Sequence, residues 1–245
     1  MSDREHRDPG APEPDTGVDD APGALPSPPR LRDFTKLPLA IVAAMFAAGA
    51  LLYPSLPSPI PTHWGPMGTP DAFSPKSFGS VFLLPLIALA VYALLVVVPY
   101  LDPKRRNLKL SMRAYNVVID GVTGLMAVVF AASMIAAFDP SFGVSKVILV
   151  AEGLLFIVIG NYMTTVKQNW TFGVRVSWTL SDDVVWRKTN RLGGYLFVAA
   201  GLVSIGSVFL PAPLDIIVML TAVFSIVIVT FGYSYLLFRK RHPEA

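Results

Sequence analysis

Cysteine is missing from all 245 residues, which excludes disulfides, thiolate metal sites and cysteine nucleophiles. Histidine is scarce: His6 and His242 lie in terminal tails and only His63 is internal, so sequence neighbours build no histidine cluster. Charge is thin as well, at 15% of residues, where a soluble domain carries about a quarter. The deficit is gathered into long apolar runs, and 53% of the chain is hydrophobic. Such a composition describes an integral membrane protein. The apolar runs also lack a His-Glu metal motif, a nucleophile elbow and paired aspartates at one depth, so an intramembrane hydrolase finds no support. The chain reads as a non-enzyme without cofactor or bound metal.

A membrane-crossing helix needs roughly 20 mostly apolar residues. Six runs meet this: Leu37 to Tyr53, Gly79 to Tyr100, Ala114 to Phe138, Lys146 to Met163, Tyr195 to Pro211 and Leu214 to Phe238. The Pro-Ala-Pro turn at Pro211 to Pro213 joins the last two too tightly for any domain between them. Lysine and arginine set the orientation. With six spans, 18 of the 20 fall on one side, and only Lys76 and Lys146 on the other. The expected fold is therefore an all-α, six-helix transmembrane bundle in the cell membrane, with both termini cytoplasmic.

Three parts follow from these runs: a tail (1–33), a two-helix module with an ordered outer loop (34–100), and a four-helix module (101–245) with an interfacial cytoplasmic loop at 164–192. The first 29 residues hold seven prolines and seven acidic residues. Such a segment buries too little to offset chain entropy and is expected to be disordered. It is also too long and acidic for the n-region of a signal peptide, so the first helix is expected to stay as an anchor.

Two polar segments interrupt the apolar pattern. The outer one contains Pro61, His63, Trp64, Gly65, Gly68, Asp71 and Lys76, and its prolines and glycines predict a defined turn-rich structure over the outer mouth of the bundle. His63 and Asp71 are candidates to hold a metal or take a proton, but two ligands with no others nearby fall short of a metal site. The alternative places His63 as a turn cap and Trp64 in the interfacial aromatic belt.

The inner segment, Gly160 to Gly194, holds Trp170, Trp178 and Trp186 with five basic residues. Tryptophan and cationic side chains together favour a membrane–water boundary. A helix start is expected at Ser181, its hydroxyl capping free amides and Asp182 and Asp183 at the positive end of the helix dipole. Topology and anionic lipid explain the cations and tryptophans. They explain less well Asn161, Asn169, Gly173, Thr179 and Asn190, which suit a folded loop made for partner recognition. The cations are too sparse and too close to the membrane for direct nucleic-acid binding.

Asn116, Asp120 and Glu152 stand out as polar residues within the spans. Arg113, Asn116 and Asp120 share one helical face, and Glu152 lies in the fourth span. At 1.5 Å per residue, Asp120 sits roughly 10 Å from the cytoplasmic side and Glu152 a similar distance from the outer side, so they do not pair. Ionisable groups in a span are functional candidates by default. They support a second reading, a small proton- or cation-coupled transporter or channel. Ala43, Ala44, Ala47 and Ala48, and Gly201 with Gly206, are expected at helix contacts.

The inner segment resembles the signature of the SdpI family. Its elements appear as Gly160-Asn161, Lys167-Gln168-Asn169, Gly173-Val174-Arg175, Trp178-Thr179-Leu180 and Trp186-Arg187-Lys188-Thr189. The outer IPTHWGPMGTPD segment resembles a domain of unknown function that often precedes that region. Many members carry Thr-Pro where this chain has Val176-Ser177. The resemblance implies a membrane immunity protein against a secreted, membrane-active peptide toxin, and in some members a receptor that holds a transcriptional repressor at the membrane. The outer residues named above are then expected to face the toxin. Asn161, Lys167, Asn169, Gly173, Arg175, Trp178, Thr179, Trp186, Lys188 and Thr189 are expected to face a cytoplasmic partner.

Overall fold

A computed structural model describes residues 27–244. The disorder expected of residues 1–33 lies outside the described residues as far as 26. Within them, Leu31–Asp33 form a 3-10 turn, with the Asp33 carboxylate accepting the Arg30 N–H at 2.7 Å.

Five long apolar elements follow from the hydropathy pattern, each long and apolar enough to cross a membrane: Leu37–Ser55, Phe78–Leu101, Met112–Phe138, Val144–Met163 and Leu214–Arg241. Their α-helical parts are α1 (Leu37–Leu52), α2 (Phe78–Val97), α4 (Met112–Phe138), α5 (Val144–Met163) and α8 (Leu214–Arg241). Two short helices, α3 (Arg105–Leu110) and α6 (Ser177–Ser181), lie in the connections. The sixth expected span falls in α7 (Asp183–Ser207). That helix opens on the polar stretch Asp183 to Arg191, and its apolar remainder is too short to join the five.

The outer loop is not helical. Ile60–Trp64 (β1) and Pro70–Ser74 (β2) pair antiparallel, Ile60 opposite Ser74 and Trp64 opposite Pro70, with irregularities around His63. The hairpin is a short β element in a chain that is otherwise mostly helical, consistent with an all-α membrane protein. Glycine closes the turn: Gly68 takes φ +74° and donates its N–H to Gly65 O at 2.9 Å. Ile60 sinks into a core with Val42, Met45, Val81, Phe82, Phe130 and Met134, which roots the hairpin in the bundle. Ser77 and Ser80 cap each other's backbone at the start of α2.

The closest helix approach is between α5 and α7, which run antiparallel. A Cβ on Gly160 would lie 2.5 Å from Gly194 O, and one on Gly201 would lie 2.4 Å from Gly153 O. The Ser204 hydroxyl donates to Leu149 O at 2.9 Å along the same seam. Of the alanines expected at helix contacts on α1, Ala48 packs against the core. Ala43, Ala44 and Ala47 are exposed, while Val42, Met45 and Gly49 form the buried face. The rings of Phe82 and Phe130 fill the space opposite, and a Cβ on Gly49 would meet the Phe82 ring at 2.9 Å. Gly206 meets nothing within 4 Å.

Candidate functional site

The signature residues gather at the end of the bundle away from the hairpin, where they stitch the 164–182 loop into a fold of its own. Asn169 is fully buried and organises the turn. Its Oδ1 accepts the N–H groups of Thr171 and Phe172, each at 2.8 Å, and its Nδ2 donates to Lys167 O at 2.8 Å. The Trp186 indole, also fully buried, donates to Val166 O at 3.0 Å. Buried Thr179 donates from its hydroxyl to Val174 O and Val176 O, both at 2.9 Å, and accepts the Val176 N–H at 3.0 Å. Gly173 holds φ +112°, and a Cβ there would meet Asn190 Oδ1 at 2.7 Å and the Trp186 ring at 3.1 Å. Only glycine fits that close approach.

Burial divides the residues expected to face a partner. Asn169, Thr179, Trp186 and Thr189 are interior, where they shape the loop. Trp178 is half-buried, donating to Ser234 Oγ at 2.8 Å and lying edge-on to Phe231 and Tyr235 of α8. Asn161, Lys167, Arg175 and Lys188 are exposed, together with Trp170 and Arg187. The Arg175 guanidinium donates to Trp170 O. Val176 N-caps α6 and Ser177 occupies its first position, where proline is equally at home, so a Thr-Pro pair is compatible with this local backbone.

The expected cap at Ser181 is corrected by one residue. Ser181 ends α6, and Asp182 caps α7, its Oδ1 accepting the N–H groups of Val184 at 2.7 Å and Val185 at 3.0 Å. Its Oδ2 takes Arg241 Nε at 2.8 Å and His242 Nε2 at 3.0 Å from the end of α8. Burial by itself would push the Asp182 carboxyl up. The hydrogen bonds from Arg241, Val185 N–H, His242 and Val184 N–H outweigh it and hold the group well below the usual carboxylate range.

One organising residue, Asp102, escaped sequence reasoning. Buried Asp102 accepts Trp170 N–H at 2.8 Å and the Thr171 hydroxyl at 2.6 Å, which ties the signature loop to the end of α2. Gln168 bridges Thr179 O and Lys104 Nζ, and Asn190 Oδ1 accepts the Val174 N–H at 2.8 Å. Asp-Pro after an apolar run was the available signal for Asp102.

At the hairpin end, His63 Nδ1 lies 2.5 Å from Asp71 Oδ1, with both side chains largely exposed. Among the described residues no group of three or more candidate ligands is suited to a metal. Trp64 is not a free interfacial ring: it packs on the α4–α5 face beside Ala132, Ala136 and Val144. Pro61 and Gly65 are buried, and a Cβ on Gly65 would meet Asp71 Oδ2 at 2.8 Å. Gly68 comes close to Ser145 of α5. Lys76 is committed to structure, its Nζ donating to Leu56 O at 2.8 Å.

Within the spans, Asn116 pins the entry peptide, donating to Asp33 O at 2.8 Å and accepting the Thr35 N–H at 3.3 Å. Asp120 keeps one buried carboxylate oxygen without a hydrogen bond among the described residues. Glu152 lines a cavity beneath the hairpin.

Comparison with known proteins agrees with this geometry. Residues 165–235 match the SdpI/YfhL protein family, and residues 40–89 match a domain of unknown function, DUF1648. The chain is 24% identical to the immunity protein SdpI of Bacillus subtilis over 200 residues, covering 82% of this chain and 93% of that protein. No solved structure matches. The chain thus carries an SdpI-family domain preceded by a DUF1648 segment, in a multi-pass membrane protein.

Proposed function

We propose that this is a non-enzymatic membrane immunity protein that protects its producer against a secreted, membrane-active peptide toxin, and that it also signals by holding a transcriptional repressor at the membrane. The observation that carries the reading is the similarity to an immunity protein over most of both chains. The hairpin is the toxin-facing element, with exposed His63 and Asp71 at its surface. The signature end is the cytoplasmic face. Its contact residues are the exposed ones, Lys167, Trp170, Arg187 and Lys188, around a loop kept rigid by Asn169, Thr179 and Trp186.

Six spans and cytoplasmic termini complete the reading. Its support is that α7 runs antiparallel beside α5 from Gly153 and Gly201 to Gly160 and Gly194, as a sixth span would. Separate substitutions on the two faces test the proposal. Changing His63 and Asp71 to alanine should reduce survival of an expressing strain under toxin. Changing Trp170 and Lys188 to alanine should weaken co-sedimentation of a candidate repressor with membranes and leave survival intact, since anchoring aromatics carry about 2 kcal/mol or more of such contacts. Equal loss of survival from both pairs, with no repressor ever co-sedimenting, would leave a plain immunity protein.

A further inference from the structure

Between the hairpin and the helices lies a cavity of ≈ 910 Å³, within the roughly 300–1,000 Å³ of small-molecule sites. His63 and Trp64 of β1 border it. Its walls come from the first half of α2, the last third of α4, the first half of α5 and the first turns of α8. They are mainly apolar, with Leu84, Phe130, Met134 and Ile148 among them. Glu152 is the one charge on the helical walls, and it is half-buried. Among the described residues no hydrogen bond or ion pair reaches its carboxylate. Lys146, six residues back on α5, stands on another side of the helix and is exposed.

An uncompensated carboxylate in an apolar wall is costly unless it takes a proton or a cation pairs with it. An anion would be repelled there, and a neutral apolar molecule would leave the carboxylate as it was. A cation on an apolar body satisfies both halves of the wall at once. We infer that the cavity is a binding site for a lipophilic organic cation, its charge held by Glu152 and its apolar body against Leu84, Phe130, Met134 and Ile148. The second hollow, ≈ 540 Å³ between α1 and α4, is lined by apolar side chains alone and makes no such selection. The assignment rests on the cavity and is independent of toxin immunity.

Full-length protein in lipid nanodiscs, dialysed to equilibrium against tetraphenylphosphonium with empty nanodiscs as the reference, tests it. Saturable binding near one per protein is expected, weakened about tenfold or more by Glu152→Gln and unchanged by Lys146→Gln. Anionic tetraphenylborate should show no component that depends on Glu152. Ser133→Phe, which fills the cavity with the carboxylate intact, should abolish saturable binding, and it carries the test should Glu152→Gln not fold. Binding no greater than to empty nanodiscs overturns the assignment and leaves the cavity to lipid chains. So does equal affinity in folded Glu152→Gln, or full binding by folded Ser133→Phe.

Discussion

Asp182 joins two elements through one carboxylate: one oxygen caps α7 and the other receives Arg241 and His242 from the end of α8. Its folded value lies below its unfolded one, so its stabilisation is fully present above the ordinary aspartate value of about 4 and is lost as pH falls below it. Asp182→Ala removes both cap and latch, and about 1–2 kcal/mol of stability should go with them. Asp182→Asn keeps the cap and gives up the ion pair with Arg241, a loss of about 0.2–1 kcal/mol because Arg241 is partly exposed. Denaturant titrations at pH 7 and pH 3 would check the sign: the gap between wild type and Asp182→Asn should narrow at the lower pH. A gap that widens would mean the carboxylate is not the charged partner. The residue was legible only as a helix-start acid, because a chain read in order does not show that the far end of α8 returns to it.

At the scale of elements, the α5–α7 pair depends on glycine where backbone meets backbone. A methyl at Gly160 would sit 2.5 Å from Gly194 O, and no side-chain rotation relieves a clash with a carbonyl. Gly160→Ala must push the helices apart, at a cost of about 1–3 kcal/mol. Gly206→Ala meets nothing within 4 Å and lies near the end of α7, so it should be neutral or stabilise by up to about 1 kcal/mol through helix propensity. Thermal unfolding of the two variants in one detergent would separate them, and equal midpoints would refute the close-packed seam. The glycines are visible in the sequence, but which ones face a neighbour is not. Sequence spacing favoured the alanines of α1, and only the packed bundle reveals that Ala43, Ala44 and Ala47 face outward.

For the whole molecule, the charge asymmetry predicts a topology that labelling can test on a chain with no cysteine of its own. Single cysteines at Asp71 and Pro140 should react with an impermeant reagent in intact cells, and cysteines at Arg106, Arg187 and Glu244 only after permeabilisation. Labelling of the Arg187 site from outside would overturn six spans, and with it the assignment of the signature loop to the cytoplasm. The tertiary contacts are consistent with one shared end for this loop: Asp102, Ser111 and Arg241 all reach residues of 167–182.

Hydrophobic run length by itself determined the membrane class and the position of five apolar helices, because burial in lipid demands about 20 apolar residues whatever the neighbours are. Local chemistry also marked both special segments, since tryptophan, glycine and proline in polar company seldom occur inside a span. Tertiary structure decided the roles of their residues. Strand pairing turned a proline-rich loop into a hairpin, through hydrogen bonds that no period in so short and irregular a stretch announces. Burial turned Asn169, Thr179 and Trp186 from contact candidates into the frame of a loop, because exposure is a property of what packs around a side chain. Glu152, isolated in sequence, came to face a cavity only because the hairpin and four helices enclose it.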